Sequence, residues 1–173
     1  MRKFSVPIAT GLFALAAACA TVPAPPPGSI DVRSVMQQQT NPAVLAIWDV
    51  TNNAMDDEGG LDPAQLDAAK WQLIAQQAER LAISGHAMGD AVGYLAAAPG
   101  NTAVEPGELT MAEVQRLIDS DPTLFRQMSA ALGAHSDRLA SAARARDADK
   151  TEQLVAELDG VCASCHMRFW HPQ

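Results

Sequence analysis

The sequence is poor in aromatic and β-branched residues, the side chains that β-strands favour. Aromatic residues make up 5% of the chain, and no segment shows a convincing strand pattern of alternating apolar and polar residues. Ala, Gln, Leu and Asp are abundant instead, a composition that favours helices. The 173 residues are enough for one domain with a hydrophobic core. We therefore expect an all-α fold.

Positive charge is also scarce, with 12 Lys and Arg against 20 Asp and Glu. The formal net charge of −8 argues against nucleic acid as a partner and against charge-driven adhesion to anionic lipid. It permits partner proteins that carry basic patches. No acid–base pair or activated nucleophile stands out in the sequence, so we expect no enzyme activity.

Cysteine is rare, and two of the three cysteines belong to one motif, Cys162-Ala163-Ser164-Cys165-His166. Cys-x-x-Cys-His is the spacing that attaches a c-type haem. Residues three and four apart share one face of a helix. Both thiols can therefore form thioethers with the two haem vinyl groups, while His166 reaches the iron as a neutral nitrogen ligand.

Two other uses of a Cys-x-x-Cys pair fit this sequence less well. A structural zinc site needs four ligands, and the sequence holds no second Cys pair or Cys/His pair at zinc-finger spacing. A thioredoxin-like redox pair opens a helix within a βαβ unit, whereas this motif lies near the end of a helical segment. The motif therefore predicts one covalent haem c, with Cys162 and Cys165 as attachment sites and His166 as the proximal iron ligand.

Residues 1–18 have the pattern of a secretory signal. A positive start, Met1-Arg2-Lys3, precedes an apolar run from Phe4 to Ala18 that is too short to span a bilayer stably. Two alternative cleavage sites are compatible with this sequence. The segment ending at Cys19 resembles a lipoprotein signal, which would make Cys19 the lipidated mature N-terminus. Ala18-Cys19-Ala20 instead fits the Ala-x-Ala site of ordinary signal peptidase.

The third cysteine favours the lipoprotein interpretation, because the haem accounts for the other two. Residues 19–29 are rich in proline and predict a polyproline tether between a membrane and the domain of residues 30–173. Either cleavage site places the domain outside the cytoplasm, where c-type haem is attached in bacteria. We expect a periplasmic protein that is held at the membrane through a lipid on Cys19.

Helical spacing of apolar residues predicts four amphipathic segments, at about residues 31–55, 62–84, 110–146 and 149–170. Pro42 should kink or restart the first segment, and Asp62 should cap the second. Residues 85–107 are expected to form a loop. The third segment begins with a capping box of Thr110 and Glu113 and is interrupted at residues 120–122. The short connection to the last segment, which carries the haem motif, predicts an up-down bundle.

Three histidines outside the motif are expected to have structural or solvent-exposed positions. His135 lies on the apolar stripe of the third segment and should be a core residue with a hydrogen-bonded ring nitrogen. His86, in the expected loop, and His171, in the tail, should be solvated. Iron ligation through either of them is the lesser alternative.

With Cys-x-x-Cys-His on the last helix of a four-helix pattern, residues 30–173 resemble the class II cytochromes c, the family of cytochrome c-prime and its low-spin relatives. The resemblance implies an all-α four-helix bundle that holds its haem between the helices, with the haem attached to the C-terminal helix. It also implies single-electron transfer with redox partner proteins of the cell envelope. Members of the family often dimerise, which allows a homodimer here.

The resemblance implies roles for two residues of the first helix. Met36 matches the position whose Met is the sixth iron ligand in low-spin members, and Arg33 matches an Arg near the haem propionates. In c-prime members the first-helix residue is not a ligand, and the iron is open to small gases such as nitric oxide. Whether Met36 binds the iron therefore distinguishes an electron carrier from a gas-binding protein. Phe169 shares the apolar face of the two cysteines and is expected to line the haem pocket.

Overall fold

The computed structural model describes residues 26–171 and is predominantly helical. Its α-helices, in chain order, are α1 (Val32–Val35), α2 (Asn41–Asn52), α3 (Ala68–Gly89), α4 (Met111–Ser120), α5 (Pro122–Ala145) and α6 (Ala148–Phe169). The predicted helical character is confirmed. The signal segment, Cys19 and the first part of the tether lie outside the range described. Among residues 26–171, no helix is long and apolar enough to cross a membrane.

The expectation that the chain has no strand is wrong, because two short strands pair in parallel. They are β1 (Ser29–Asp31), at the end of the expected tether, and β2 (Gly93–Leu95), with Ile30 opposite Tyr94. Asp31 also links β1 to the segment after β2. Its carboxylate accepts hydrogen bonds from the backbone N–H groups of Ser34, in α1, and of Ala98. Three-residue strands are too short to produce a detectable alternation in the sequence.

The first helical segment is continuous through its proline. Between α1 and α2 lies a π-helical stretch (Met36–Thr40), in which the N–H of Asn41 donates to the carbonyl of Met36 five residues earlier. Pro42 lies in the first turn of α2, as expected. A proline lacks the N–H of a regular turn, and its ring clashes with the carbonyl four residues before it. The wider π-helical turn accommodates the ring without breaking the helix.

The predicted bounds of the second segment are wrong at both ends. Asp62 caps only a 3₁₀ turn (Pro63–Gln65), and α3 begins after a second cap at Asp67. At its other end α3 continues to Gly89, beyond the expected stop at residue 84. Glycine weakens an isolated helix, but Gly85 lets α3 approach α5 closely: a Cβ there would lie 2.4 Å from the backbone nitrogen of Gly133.

The remaining helix ends follow local sequence signals. The capping box of Thr110 and Glu113 is confirmed, with the Thr110 N–H donating to the Glu113 carboxylate over 2.8 Å. Helix α5 begins after the break at Asp121. Helix α5 connects to α6 through a two-residue turn, in which Arg146 adopts a left-handed conformation with φ of 55° and Asp147 caps α6.

Helices α2, α3, α5 and α6 pack in sequence order, each against the next. Neighbours run antiparallel: Thr40, before α2, hydrogen bonds to Ser84 near the end of α3 over 3.1 Å. Helices α5 and α6 are joined by a ring hydrogen bond from His135 to the Leu154 carbonyl over 2.8 Å. Helix α2 also meets α6, but over a short stretch. This sparse contact leaves room for a cavity between α2, α5 and α6.

Candidate functional site

A cavity of about 430 Å³ lies between the first helical segment, α5 and α6. Its volume is within the range of small-molecule and cofactor sites. The π-helical stretch contributes Met36, and the rest of the wall is mainly apolar, with Val44 from α2 and Phe125, Met128 and Leu132 from α5. The fold thus brings Met36, a predicted site residue from the first helical segment, to a cavity whose other side is formed by the C-terminal helix α6.

The Cys-x-x-Cys-His motif faces this cavity from α6. Cys162, Cys165 and His166 all line it and are all partly buried, because residues three and four apart lie on one face of a helix. Met36 and the three motif residues therefore share one cavity. The cofactor-binding and iron-binding roles of these four residues stay predictions.

The electrostatics of the motif favour neutral side chains. Burial, together with the neighbouring Cys162, raises the pKa of the Cys165 thiol to about 11. Burial, and next the charge of Asp159, raises the pKa of Cys162. Thioredoxin-like redox cysteines have lowered pKa values instead. Burial, with a smaller effect of His171, lowers the pKa of His166, which favours the neutral imidazole that binds a metal.

His171 has a more specific position than the expected solvated tail. It is exposed, but it lines the cavity, and its ring centroid lies 6.1 Å from that of His166 with the two rings nearly perpendicular. Its backbone N–H donates to the His166 carbonyl over 2.9 Å, which fixes the turn after α6. The sequence places both residues near each other but does not indicate this ring contact.

Arg33 is not among the residues that line the cavity. Its guanidinium Nη1 lies 3.2 Å from the Met111 sulfur, Nη2 donates to the Ala103 carbonyl, and its carbon lies 5.8 Å from the centroid of the Trp170 ring. Its Nε is buried and has no hydrogen-bond partner within residues 26–171. The role of Arg33 as a propionate partner stays a prediction.

Phe169 lies in the core behind the cavity wall. It is 3% exposed and packs edge-to-face on Phe125, with ring centroids 5.2 Å apart. Phe125 lines the cavity, whereas Phe169 is not among the lining residues. Phe169 therefore supports the wall through Phe125, and a direct contact with a cofactor stays a prediction.

The other two histidines have partners away from the cavity. His135 is buried, its Nε2 donating to Leu154 and its Nδ1 accepting from Arg138 over 3.2 Å, so the expectation of a hydrogen-bonded core histidine is confirmed. His86 lies within α3, not in a loop, and its Nε2 is 2.7 Å from the Asp137 carboxylate on α5.

The α5 wall of the cavity was not predicted. Met128 and Leu132 belong to a regular apolar stripe, and a stripe does not distinguish side chains that face a cavity from those that fill a core. Their position becomes clear only once α5 is packed against both α3 and α6.

The donor set fits a haem better than a bare metal ion. Nowhere in residues 26–171 do three His, Cys, Asp or Glu side chains converge as a metal-binding group. Two thiols, one neutral imidazole and one thioether around a largely apolar cavity match what a covalently attached haem uses. Comparisons of the chain with protein-family models, with curated proteins and with solved structures found no match.

Proposed function

We propose that this protein is an exported mono-haem c-type cytochrome of the class II type that transfers single electrons. One observation carries the proposal: Cys162, Cys165, His166 and Met36 all line one cavity, although Met36 is more than 120 residues from the motif. The antiparallel order of α2, α3, α5 and α6 supports a four-helix bundle as its architecture.

Each residue has a defined task in this proposal. Cys162 and Cys165 hold the cofactor through thioethers, and His166 provides the proximal nitrogen. Met36 would supply a thioether sulfur to the iron, and iron bound by a His and a Met has a raised reduction potential. The bound haem supplies the one-electron couple. The apolar side chains of α2 and α5 exclude water, which keeps the electrostatic environment fixed during electron transfer.

A five-coordinate gas-binding haem protein is the second candidate. The observation that favours it is the apolar lining that Val44, Phe125 and Leu132 give the cavity, since none of these three side chains can bind iron. If Met36 does not ligate, this wall leaves an apolar space in which a small gas such as nitric oxide can bind.

Visible spectra of the matured protein separate the two candidates. The protein is co-expressed with c-type haem attachment machinery, and ferric and ferrous spectra are recorded with and without carbon monoxide. A low-spin spectrum that carbon monoxide leaves unchanged supports the electron carrier. A high-spin ferrous form that binds carbon monoxide readily supports the gas-binding protein and excludes the Met-ligated site.

Two matched substitutions assign the ligand. Met36→Ala should convert a low-spin spectrum to one that responds to carbon monoxide. Met128→Ala removes a methionine from the same cavity and should leave the ligation unchanged. An unchanged spectrum of Met36→Ala would remove Met36 from the iron site.

Covalent attachment is tested by mass. The chain should gain the mass of one haem, retained under denaturing conditions, and Cys162→Ala with Cys165→Ala should abolish this gain. Ser164→Ala, within the same motif, should not. Mass spectrometry of the mature N-terminus tests the proposed membrane anchor. A lipidated Cys19 supports the anchor, and an unmodified start at Thr21 excludes it.

A further inference from the structure

Large apolar side chains are exposed around the seam between α2 and α6. Of the five such residues in the part of the chain that the structure describes, Leu45 (61% exposed) and Met167 (58%) line the 430 Å³ cavity. Met55 (45%) lines a neighbouring cavity of about 290 Å³. The other two, Ile83 and Val92, line neither cavity. Clustered exposed apolar groups mark interaction sites more often than scattered ones do.

The two cavities form one surface feature. Trp48 and Asp159 line both of them, so the openings adjoin along the seam. We call this feature the α2–α6 furrow and define it by Leu45, Trp48, Met55, Asp159 and Met167. The furrow contains the opening of the candidate haem site, so a partner that docks there would lie next to the haem.

The carboxylates among the described residues that line the furrow have no Lys or Arg beside them in the two linings. These linings include the carboxylates of Asp159 and Glu152, and no Lys or Arg is among the lining residues within the range described. The turn after Met55 adds Asp57 and Glu58, both exposed. An apolar centre with a negative rim is the arrangement of a charge-steered protein interface.

We propose that the α2–α6 furrow is the docking surface for a redox partner protein whose contact region has an apolar spot encircled by Lys and Arg. The inference rests on the proposed function, because electron transfer gives the furrow its purpose. A second copy of this chain fits less well, since its formal net charge of −8 would be repelled by the same rim. Charge complementarity therefore selects a basic partner.

Binding of two designed peptides to the haem-loaded protein tests the proposal. One fluorescent amphipathic helical peptide carries Leu on one face and Lys on the other, and its counterpart carries Glu in place of Lys. Fluorescence anisotropy at low ionic strength should detect binding of the Lys peptide, which added salt weakens, and not of the Glu peptide.

Two pairs of variants locate the binding surface. Glu58→Lys should weaken binding of the Lys peptide about threefold to fivefold, as expected for an exposed ion pair. Glu105→Lys makes the same charge change on an exposed loop residue that lines neither cavity, and should change binding less than twofold. Leu45→Ala should also weaken binding about threefold, and Ile83→Ala, which shortens an equally exposed residue of α3, should not.

Three outcomes would overturn the docking proposal. Equal weakening by Glu58→Lys and Glu105→Lys would show that net charge alone attracts the peptide. Absence of binding to the haem-loaded protein would also contradict it, as would dimerisation in sedimentation experiments that Leu45→Ala abolishes. A chain that acquires no haem refutes the proposed function instead, so the two failures are distinguishable.

Discussion

Gly85→Ala should destabilise the protein, because it adds a methyl group where α3 and α5 are closest. An ideal Cβ at Gly85 would lie 2.4 Å from the backbone nitrogen of Gly133, 2.7 Å from its Cα and 3.0 Å from the Ser129 carbonyl oxygen. All three are backbone atoms, which cannot rotate away as the end of a flexible side chain can. The two helices must therefore move apart.

The magnitude follows from two opposing effects. Overpacking of a closely packed site costs typically up to about 3 kcal/mol, and the backbone clash places this site near that limit. Alanine gains back about 1 kcal/mol over glycine in a helix. The net loss is about 2 kcal/mol, which for a chain of this size lowers Tm by roughly 4–8 °C.

Gly160→Ala is the matched control, since Gly160 is also helical but its Cβ would have no neighbour within 4 Å. Helix propensity acts alone there, so stability should rise by about 0.5–1 kcal/mol. Thermal unfolding followed by circular dichroism measures both changes. If Gly85→Ala is as stabilising as Gly160→Ala, the close approach of α3 and α5 is wrong.

Three further predictions concern local features. Arg146→Gly should raise the free energy of unfolding in urea by about 1 kcal/mol, because Arg146 adopts a left-handed conformation that is unfavourable for any residue except glycine. A loss of stability would contradict this left-handed turn. Glu113→Gln should lower stability near neutral pH but not in acid. The Thr110 hydroxyl and N–H lower the pKa of Glu113, so its contribution is present above the ordinary value of 4.5 and lost as pH falls through the folded-state pKa; a difference that stays constant with pH would contradict this. In the haem-free protein, iodoacetamide at pH 8 should modify Cys165 about a hundredfold more slowly in the native state than in the urea-unfolded state, because burial raises the pKa of this thiol from 9.0 to about 11. Mass spectrometry measures both rates, and equal rates would show that the thiol is not buried.

Sequence reasoning succeeded where the controlling interactions are local. The capping box at Thr110, the break at Asp121 and the shared face of Cys162, Cys165 and His166 each depend on residues within one helical turn. The end of α3 was missed because Gly85 reads locally as a helix breaker, and only the neighbouring Gly133 makes a glycine favourable there.

The position of Met36 shows why the candidate site is harder to predict than the motif. Met36 opens the π-helical stretch that accommodates Pro42, and inserting an extra residue per turn rotates the helix face on either side of it. A regular 3.6-residue period carried across Pro42 would place Val44 about 80° around the helix from Met36, near the edge of the same apolar face. The structure places both residues in the cavity lining, Met36 at the start of the π-helical stretch and Val44 beyond it. The wall that contains Met36 and Val44 thus includes a backbone irregularity just before Pro42, which hydrophobic periodicity alone does not indicate.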